Sequence, residues 1–238
     1  ANLKLLGQNF ENVVVVLNVG GIIDTKFFDE IDGLDSMLLM SQAGMTGGDA
    51  LVEVLNGTVN PSGKLTDTWP VNFSDNPSSA GFANEDGNNA QELYNDDIFV
   101  GYRYYDTFGK DVSYEFGYGG SYTTFAMQTQ SVTADKDKVT VKVKVKNTGS
   151  VSGKEVAEVY FSAPEGNLDK PYQELAAYQK VEVKAGETKE VTLSFDTDEM
   201  ASYDENNEQY VLEDGTYKIR VGNSSRNTVE AADISLDK

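Results

Sequence analysis

Between residues 139 and 146 the chain alternates without a break: Val139, Val141, Val143 and Val145 are apolar, while Thr140, Lys142, Lys144 and Lys146 are polar. Successive side chains of a strand point to opposite faces, so this segment reads as a strand with one face in a core and the other in water. Asn147-Thr148-Gly149 then turns the chain, and Val156 to Phe161 reads as the next strand. Val181 and Val183 precede an Ala185-Gly186 turn, Val191, Leu193 and Phe195 alternate again, and Asp214-Gly215 turns into Tyr217, Ile219 and Val221. From about Ser121 onward, short strands at this spacing with no helical stretch predict an antiparallel β-sandwich.

The first part of the chain has a different rhythm. Val13-Val14-Val15-Val16-Leu17 is a continuous β-branched run followed by Gly20-Gly21. Such a run predicts a strand buried on both faces, as in a parallel sheet covered by helices. Asp24 to Ile31 predicts a short helix capped by Asp24 or Thr25, and Ser36 to Met40 a second short strand. Gly47-Gly48 opens a helix with Leu51, Val54 and Leu55 on one face and Gly57 at its C-terminal cap. Strand, helix, strand, helix implies a right-handed βαβ arrangement. Two strands do not make a stable covered parallel sheet, so further strands are expected upstream of Ala1 or from another chain. The predicted fold class is therefore a partial α/β sandwich, mostly parallel, followed by an all-β antiparallel sandwich. The expected division is at 1–118 and 119–238.

Composition narrows the chemistry. The 238 residues hold no Cys and no His. Disulfides, thiolate nucleophiles, a Ser-His-Asp triad and the commonest zinc ligands are thereby excluded, and no metal or cofactor is expected. A net charge of −20 disfavours nucleic acid and anionic membrane as partners. No apolar run is long enough to span a bilayer, and Ala1-Asn2-Leu3-Lys4 does not read as a signal peptide but as a fragment boundary. A water-soluble protein is expected, with cytoplasmic and secreted bacterial settings both open.

Several short motifs have a plain reading. Gly57 to Leu65 misses the spacing of a phosphate-binding loop by one residue and has Leu65 where a magnesium-binding hydroxyl belongs, so Asn60-Pro61-Ser62-Gly63 reads as a turn. Gly44-Met45-Thr46-Gly47-Gly48 lacks the dinucleotide fingerprint and reads as tight strand-to-helix packing. Val71 to Asp97 is a polar connection too long for a plain loop, either mobile or laid over a partner. Its carboxylates Glu85, Asp86, Glu92, Asp96 and Asp97 match no EF-hand pattern and read first as solvated charges. Asp96 and Asp97, which abut an aromatic block, and Tyr94 are the candidate substrate-binding residues. In that block Tyr102, Tyr104, Tyr105, Phe108, Tyr114, Phe116, Tyr118 and Tyr122 would each bury about 150–250 Å². Bare, they would exceed the roughly 300–600 Å² patch of an ordinary monomer, so packing between the two domains is expected over a sugar-stacking platform. Arg103 is expected to stack or pair locally.

Taken in order, these pieces resemble the C-terminal portion of a family 3 glycoside hydrolase of the β-glucosidase group. The resemblance rests on Val13 to Gly21, Gln42 to Ala50 and Asn60-Pro61-Ser62-Gly63-Lys64-Leu65. It continues through Phe99-Val100-Gly101-Tyr102-Arg103-Tyr104-Tyr105-Asp106 and Phe116-Gly117-Tyr118-Gly119. In the sandwich it rests on Asn147-Thr148-Gly149, Gly153-Lys154-Glu155-Val156, Gly215-Thr216-Tyr217 and Val221-Gly222. Gly120 departs from the family's usual Leu, and Leu175-Ala176-Ala177-Tyr178 from its Leu-Lys-Gly-Phe.

The resemblance implies the latter half of the family's α/β sandwich domain, then a fibronectin type III-like domain. It implies metal-free retaining hydrolysis of β-linked glucosides or xylosides in the intact enzyme. That reaction needs two carboxyl groups about 5–5.5 Å apart. In the family one is an Asp on a (β/α)-barrel and the other a Glu on a loop ahead of the segment equivalent to Val13–Gly21. Neither position has a match here, and Glu11, set against the strand, does not fit. The expectation is a non-catalytic, supporting piece whose partners are the barrel domain and, in the intact enzyme, a β-glycoside. A stand-alone carbohydrate-binding or adhesion module is the alternative, and a homodimer that completes the sheet is a third reading.

Overall fold

The computed structural model describes residues 2–84, 87–88, 90–91 and 93–236, which fall into two compact units. The first comprises Ala1–Val59, Trp69–Asn95 and Asp111–Tyr114. It runs α1 (Asn2–Asn9), β1 (Val14–Leu17), α2 (Lys26–Glu30), β2 (Ser36–Leu39), α3 (Gly47–Leu55), β3 (Trp69–Pro70) and β4 (Val112–Tyr114). β1 and β2 pair in parallel from Val14↔Ser36 to Leu17↔Leu39, as the β-branched run predicts. The Asp35 carboxylate accepts the Val13 amide at 2.6 Å and fixes where β1 begins. The Asp24 carboxylate accepts the Lys26 amide at 2.9 Å at the start of α2, and Gly57, at φ +78°, closes α3. Sequence patterning does not foresee α1. It lies so close to the turn at Gly33 that a Cβ on Gly7 would meet the Asp32 carbonyl at 2.4 Å.

The expectation that β1 is buried on both faces is not met. Val13 and Leu17 are buried, but Val14 is 44% exposed. The sheet has two strands, α1 and α2 bury no residue, and Leu55 on the expected inner face of α3 is exposed. β3 and β4, absent from the sequence reading, pair antiparallel with Trp69 edge-on to Tyr114. Within the polar connection, short 3-10 turns at Phe73–Asp75 and Phe82–Asn84 bring the Phe73 and Phe82 rings to 5.8 Å. No helix among the described residues is long and apolar enough to cross a membrane.

The second unit comprises Asn60–Thr68, Asp96–Lys110 and Glu115–Lys238. It holds α4 (Tyr102–Thr107), β5 (Phe125–Ala134), β6 (Lys138–Asn147), β7 (Gly153–Ser162), β8 (Glu174–Val183) and β9 (Thr188–Asp196). β10 (Ser202–Asp204), β11 (Gln209–Val211), β12 (Gly215–Gly222) and β13 (Thr228–Leu236) follow. A three-stranded sheet β5-β6-β9 faces a four-stranded sheet β13-β12-β7-β8, every pairing antiparallel. Val139, Val141, Val143 and Val145 are fully buried and meet Val159, Phe161, Leu193, Tyr217 and Ile219 in one core. β10 and β11 form a separate hairpin that the sequence reading does not anticipate, and a 3-10 turn at Thr197–Met200 interrupts the all-strand pattern.

Asn147 at the end of β6 is wholly buried and uses its full hydrogen-bonding capacity. Its Oδ1 accepts from Thr123 Oγ1 (2.7 Å) and the Gly149 amide (3.0 Å), and its Nδ2 donates to the carbonyls of Val151 (2.8 Å) and Val183 (2.9 Å). A buried amide so satisfied fixes a turn in one geometry.

Candidate functional site on the covered face of the sandwich

β7 differs from the other strands in being buried on both faces. Ala157, Val159 and Phe161 enter the core, and the alternating Glu158 and Tyr160 are buried as well. Their cover comes from 60–68, 96–110 and 115–124. Backbone bonds knit the first and last of these together: Leu65 donates to the Tyr118 carbonyl and Gly117 to the Leu65 carbonyl, both at 2.8 Å. Asn60 accepts from Ser121 Oγ (2.9 Å) and the Tyr122 amide (2.8 Å) and donates to the Ser152 carbonyl (3.0 Å). The turn predicted at Asn60–Gly63 thus becomes an anchor, with Lys180 Nζ donating to the Ser62 carbonyl at 2.6 Å. Gly117 has φ +82°, and a Cβ there would lie 2.7 Å from the Ser224 Cα and 2.9 Å from Glu158 Oε2. Only glycine combines that backbone conformation with so close an approach.

The aromatic block supplies the rest of the cover. The Tyr102 hydroxyl accepts the Leu175 amide at 2.8 Å, and its ring lies 4.8 Å from Phe116 and 5.9 Å from Tyr160. Burial pushes the Tyr102 phenol up to about 12. Tyr105 is buried, whereas Phe108, Tyr118 and Tyr122 remain about half exposed. Arg103 pairs locally with Glu174 at 3.3 Å, as expected of it. Arg226 reaches across to α4: its Nε donates to Asp106 Oδ1 at 2.9 Å and its Nη2 to the Lys110 carbonyl at 2.6 Å. Gln173 Nε2 donates to the Ser225 carbonyl at 2.6 Å beside them.

Two buried glutamates of β7 and one lysine of the covering segment 60–68 lie close together. Lys64 Nζ lies 2.8 Å from Glu155 Oε1, with both side chains largely out of water. Glu155 also accepts the Val156 amide (2.8 Å) and Asn223 Nδ2 (3.0 Å). Glu158 accepts the Tyr160 hydroxyl at 2.6 Å. Burial is the main cause that raises the Glu158 carboxyl above its ordinary value. The Tyr160 hydrogen bond and Lys64 pull it down, and Glu155 pushes it up. Burial and the neighbouring Glu158 push the Tyr160 phenol up, so it stays protonated as the donor. Glu115 accepts from Ser224 Oγ at 2.9 Å. A carboxylate pair could in principle serve acid/base chemistry, but the oxygens of Glu155 are taken by an ion pair, a backbone amide and an asparagine. This arrangement fastens segments to a sheet. Among the described residues, no group of three or more acidic side chains is placed to hold a metal ion.

The residues singled out from sequence lie elsewhere. Tyr94 belongs to the first unit and is 91% exposed. Asp96 and Asp97 belong to the second. The Asp96 carbonyl accepts the Phe99 amide in a turn, and Asp97 adopts φ +51°, a conformation that Asp tolerates better than most residues. Glu85, Asp86 and Glu92 lie outside the described residues. Sequence reasoning passed over Glu158, although a lone acid inside Val156-Ala157-Glu158-Val159-Tyr160-Phe161 is an available signal. Lys64 drew notice as part of a failed phosphate loop and of the Asn60–Leu65 motif, with no partner assigned to it.

Comparison with known proteins finds two matching family models. Residues 2–102 match the glycosyl hydrolase family 3 C-terminal domain, and 155–225 match a fibronectin type III-like domain. The chain is 39% identical to a β-glucosidase A from Butyrivibrio fibrisolvens, over 95% of this chain and 30% of that protein. It is 38% identical to an exo-α-(1→6)-L-arabinopyranosidase from Bifidobacterium breve, again over 95% of this chain and 30% of the relative. The solved structure of β-glucosidase 3B from Thermotoga neapolitana in complex with glucose superposes with a TM-score of 0.92 at 41% identity, covering 100% of this chain and 33% of that one. The chain thus spans about a third or less of the length of the proteins it matches.

Proposed function

We propose, from the premise that this chain belongs to glycosyl hydrolase family 3 and carries its C-terminal domain followed by a fibronectin type III-like domain, that it serves a longer hydrolase as a supporting part. Its role is to brace the barrel domain and wall the cleft in which a β-glucoside or β-xyloside is cleaved. The observation that carries this reading is the two-stranded parallel sheet with Leu5, Phe10, Val14 and Val52 left exposed around it. A sheet of that kind requires more strands and cover to be stable. In this role, 1–118 supply the α/β portion and 119–238 the sandwich, while Asp96, Asp97 and Tyr94 remain candidates for the cleft wall.

The chain alone is proposed to be inactive. Retaining hydrolysis needs a nucleophilic carboxylate and an acid/base carboxyl about 5–5.5 Å apart, and Glu155 is committed to Lys64 and Asn223. Assaying the isolated chain on an aryl β-glucoside tests this directly: turnover above the uncatalysed rate refutes it. The match to an arabinopyranosidase makes the sugar a question for the rest of the longer enzyme.

One observation favours the alternative of a carbohydrate-binding module. On the β10–β11 hairpin Tyr203 and Tyr210 stand 5.1 Å apart, and Tyr210 is 74% exposed. Trp69 is buried and would report poorly, so cello-oligosaccharide titration is best followed through tyrosine ring resonances. Absence of shifts at Tyr210 at millimolar sugar removes this reading. Sedimentation tests the homodimer: a monomer refutes it.

A further inference from the structure

Two buried glutamates of β7, Glu155 and Glu158, share one largely buried lysine, Lys64, beside them. Lys64 is matched by Glu155 at 2.8 Å. Glu158, 4% exposed, accepts the Tyr160 hydroxyl. The elements packed around Glu158 bring the following charges. Flanking β8 sets Tyr178 opposite it and, two residues along, Lys180, whose Nζ donates to the Ser62 carbonyl. Flanking β12 sets Gly222 opposite it and, two residues along, Arg220, which engages Ser162 and Glu230. β7 itself supplies Glu155 and Tyr160, and 60–68 supplies Lys64. The 115–118 stretch lays Gly117 against the Glu158 carboxyl and carries Glu115, whose charge is engaged by Ser224. The 223–225 turn brings Asn223 and Ser224, both neutral. From α4 come Tyr102, whose ring lies 5.9 Å from that of Tyr160, and Asp106, which Arg226 neutralises. An ionised Glu158 therefore adds a buried negative charge beside a cation, Lys64, that is already paired with Glu155.

We propose that Glu158 is a pH-sensitive latch, holding 60–68 and 115–118 on the sandwich while it is protonated and loosening them as it ionises. The geometry couples the charge to the cover because Gly117 lies directly over the carboxyl with no room for a Cβ between them. An ionised carboxylate needs water or further donors, and it gains them only if Gly117 and its partner Leu65 lift away. The sign follows. A carboxyl whose folded-state value is raised contributes stability that is fully present below its ordinary value near 4.5 and is lost as the pH rises through the raised value. Tighter docking in acid is the opposite of the usual behaviour of a carboxylate held by a cation. The chain passes to its first unit at both ends of 60–68, at 59/60 and 68/69, and at the start of 115–118, at 114/115.

The test is amide hydrogen exchange on the full chain at several pH values between about 5 and 8, corrected for intrinsic rates. The amides of Leu65, Gly117 and Ser225 report the latch, since they donate to Tyr118, Leu65 and Phe116 respectively. The amides of β6 paired to β9 serve as the internal control. Protection at the three latch amides is expected to fall severalfold as pH rises, while β6 stays constant. In Glu158→Gln, which keeps the shape and the acceptor for Tyr160, the profile is expected to be flat and protected throughout. Parallel profiles in wild type and Glu158→Gln overturn the proposal, as does a pH-independent wild type. Should Glu158→Gln fold poorly, the wild-type profile read against β6 still decides, because a global loss of stability would move both sets together.

Discussion

Replacing Lys64 with Met leaves Glu155 buried and without its counter-charge. At 2.8 Å, with both side chains largely excluded from water, the pair's attraction is about 6 kcal/mol at an effective dielectric constant of about 20. Desolvation offsets most of this, since each ion loses several kcal/mol of hydration on burial. The intact pair is thus close to neutral against an apolar pair, but its two halves are not. Losing one partner of a buried pair costs about 3–5 kcal/mol. Glu155→Gln keeps one acceptor oxygen, enough for either the Val156 amide or Asn223 Nδ2 but not both, and leaves no buried negative charge, so it should cost less, about 2 kcal/mol. The double variant removes both charges together and should fall short of the sum by about 2–3 kcal/mol. Because the chain forms two units, the assay is urea titration followed through hydrogen exchange of β6 and β7 amides, which reads the sandwich unit alone. Additivity of the two single changes within about 0.5 kcal/mol would refute the reasoning, for it would mean that the ion pair is screened by water and does not fasten the 60–68 segment.

Three further outcomes are expected. Asn147→Leu strands Thr123 Oγ1, the Gly149 amide and the carbonyls of Val151 and Val183; denaturant unfolding of the sandwich should show a loss of about 3–5 kcal/mol. Gly117→Ala combines a left-handed backbone with a Cβ 2.7 Å from the Ser224 Cα and should cost about 2–4 kcal/mol, whereas Gly120→Ala, with open space around it, should stay within about 0.5 kcal/mol by the same measurement. Glu213 is held below the usual carboxylate range, first by its hydrogen bond with Lys170 and then by the Asn167 amide. Its contribution is present above its ordinary value near 4.5 and lost as pH falls through the depressed one, so the melting temperatures of wild type and Glu213→Gln should converge on acidification; a constant gap would refute the assignment.

The two rhythms of the chain made its architecture legible. The Val139–Val145 alternation specified which face of β6 is buried, and the β-branched run at Val13–Leu17 specified a parallel pairing with β2. Gly57 marked a helix end because its role is local, a glycine in the left-handed conformation, and of the two expected caps of α2 it is Thr25 that holds the N-cap position, without a side-chain capping bond, while the Asp24 carboxylate just before it accepts the Lys26 amide. The short β3, β4, β10 and β11 were missed because two or three residues carry no periodicity. The exposure of Val14 was misjudged because a β-branched run records the cover a strand requires, not the cover supplied within this chain.

The candidate site was legible only in pieces. Its aromatic members announced themselves by their number, since so much ring surface must be covered. Its charged members did not, because Lys64, Glu155, Glu158 and Arg226 are individually ordinary.

The sequence alone therefore determined the longer periodic strands and the core face of β6, because these depend on residues within a few positions of one another. Tertiary structure decided what covers the second face of β7, which lysine meets which glutamate, and that Glu158 lies under Gly117. Those pairings join residues as far apart as Asp106 and Arg226, separated by 120 positions, and a charge in a strand looks the same in sequence whether water or another segment lies over it.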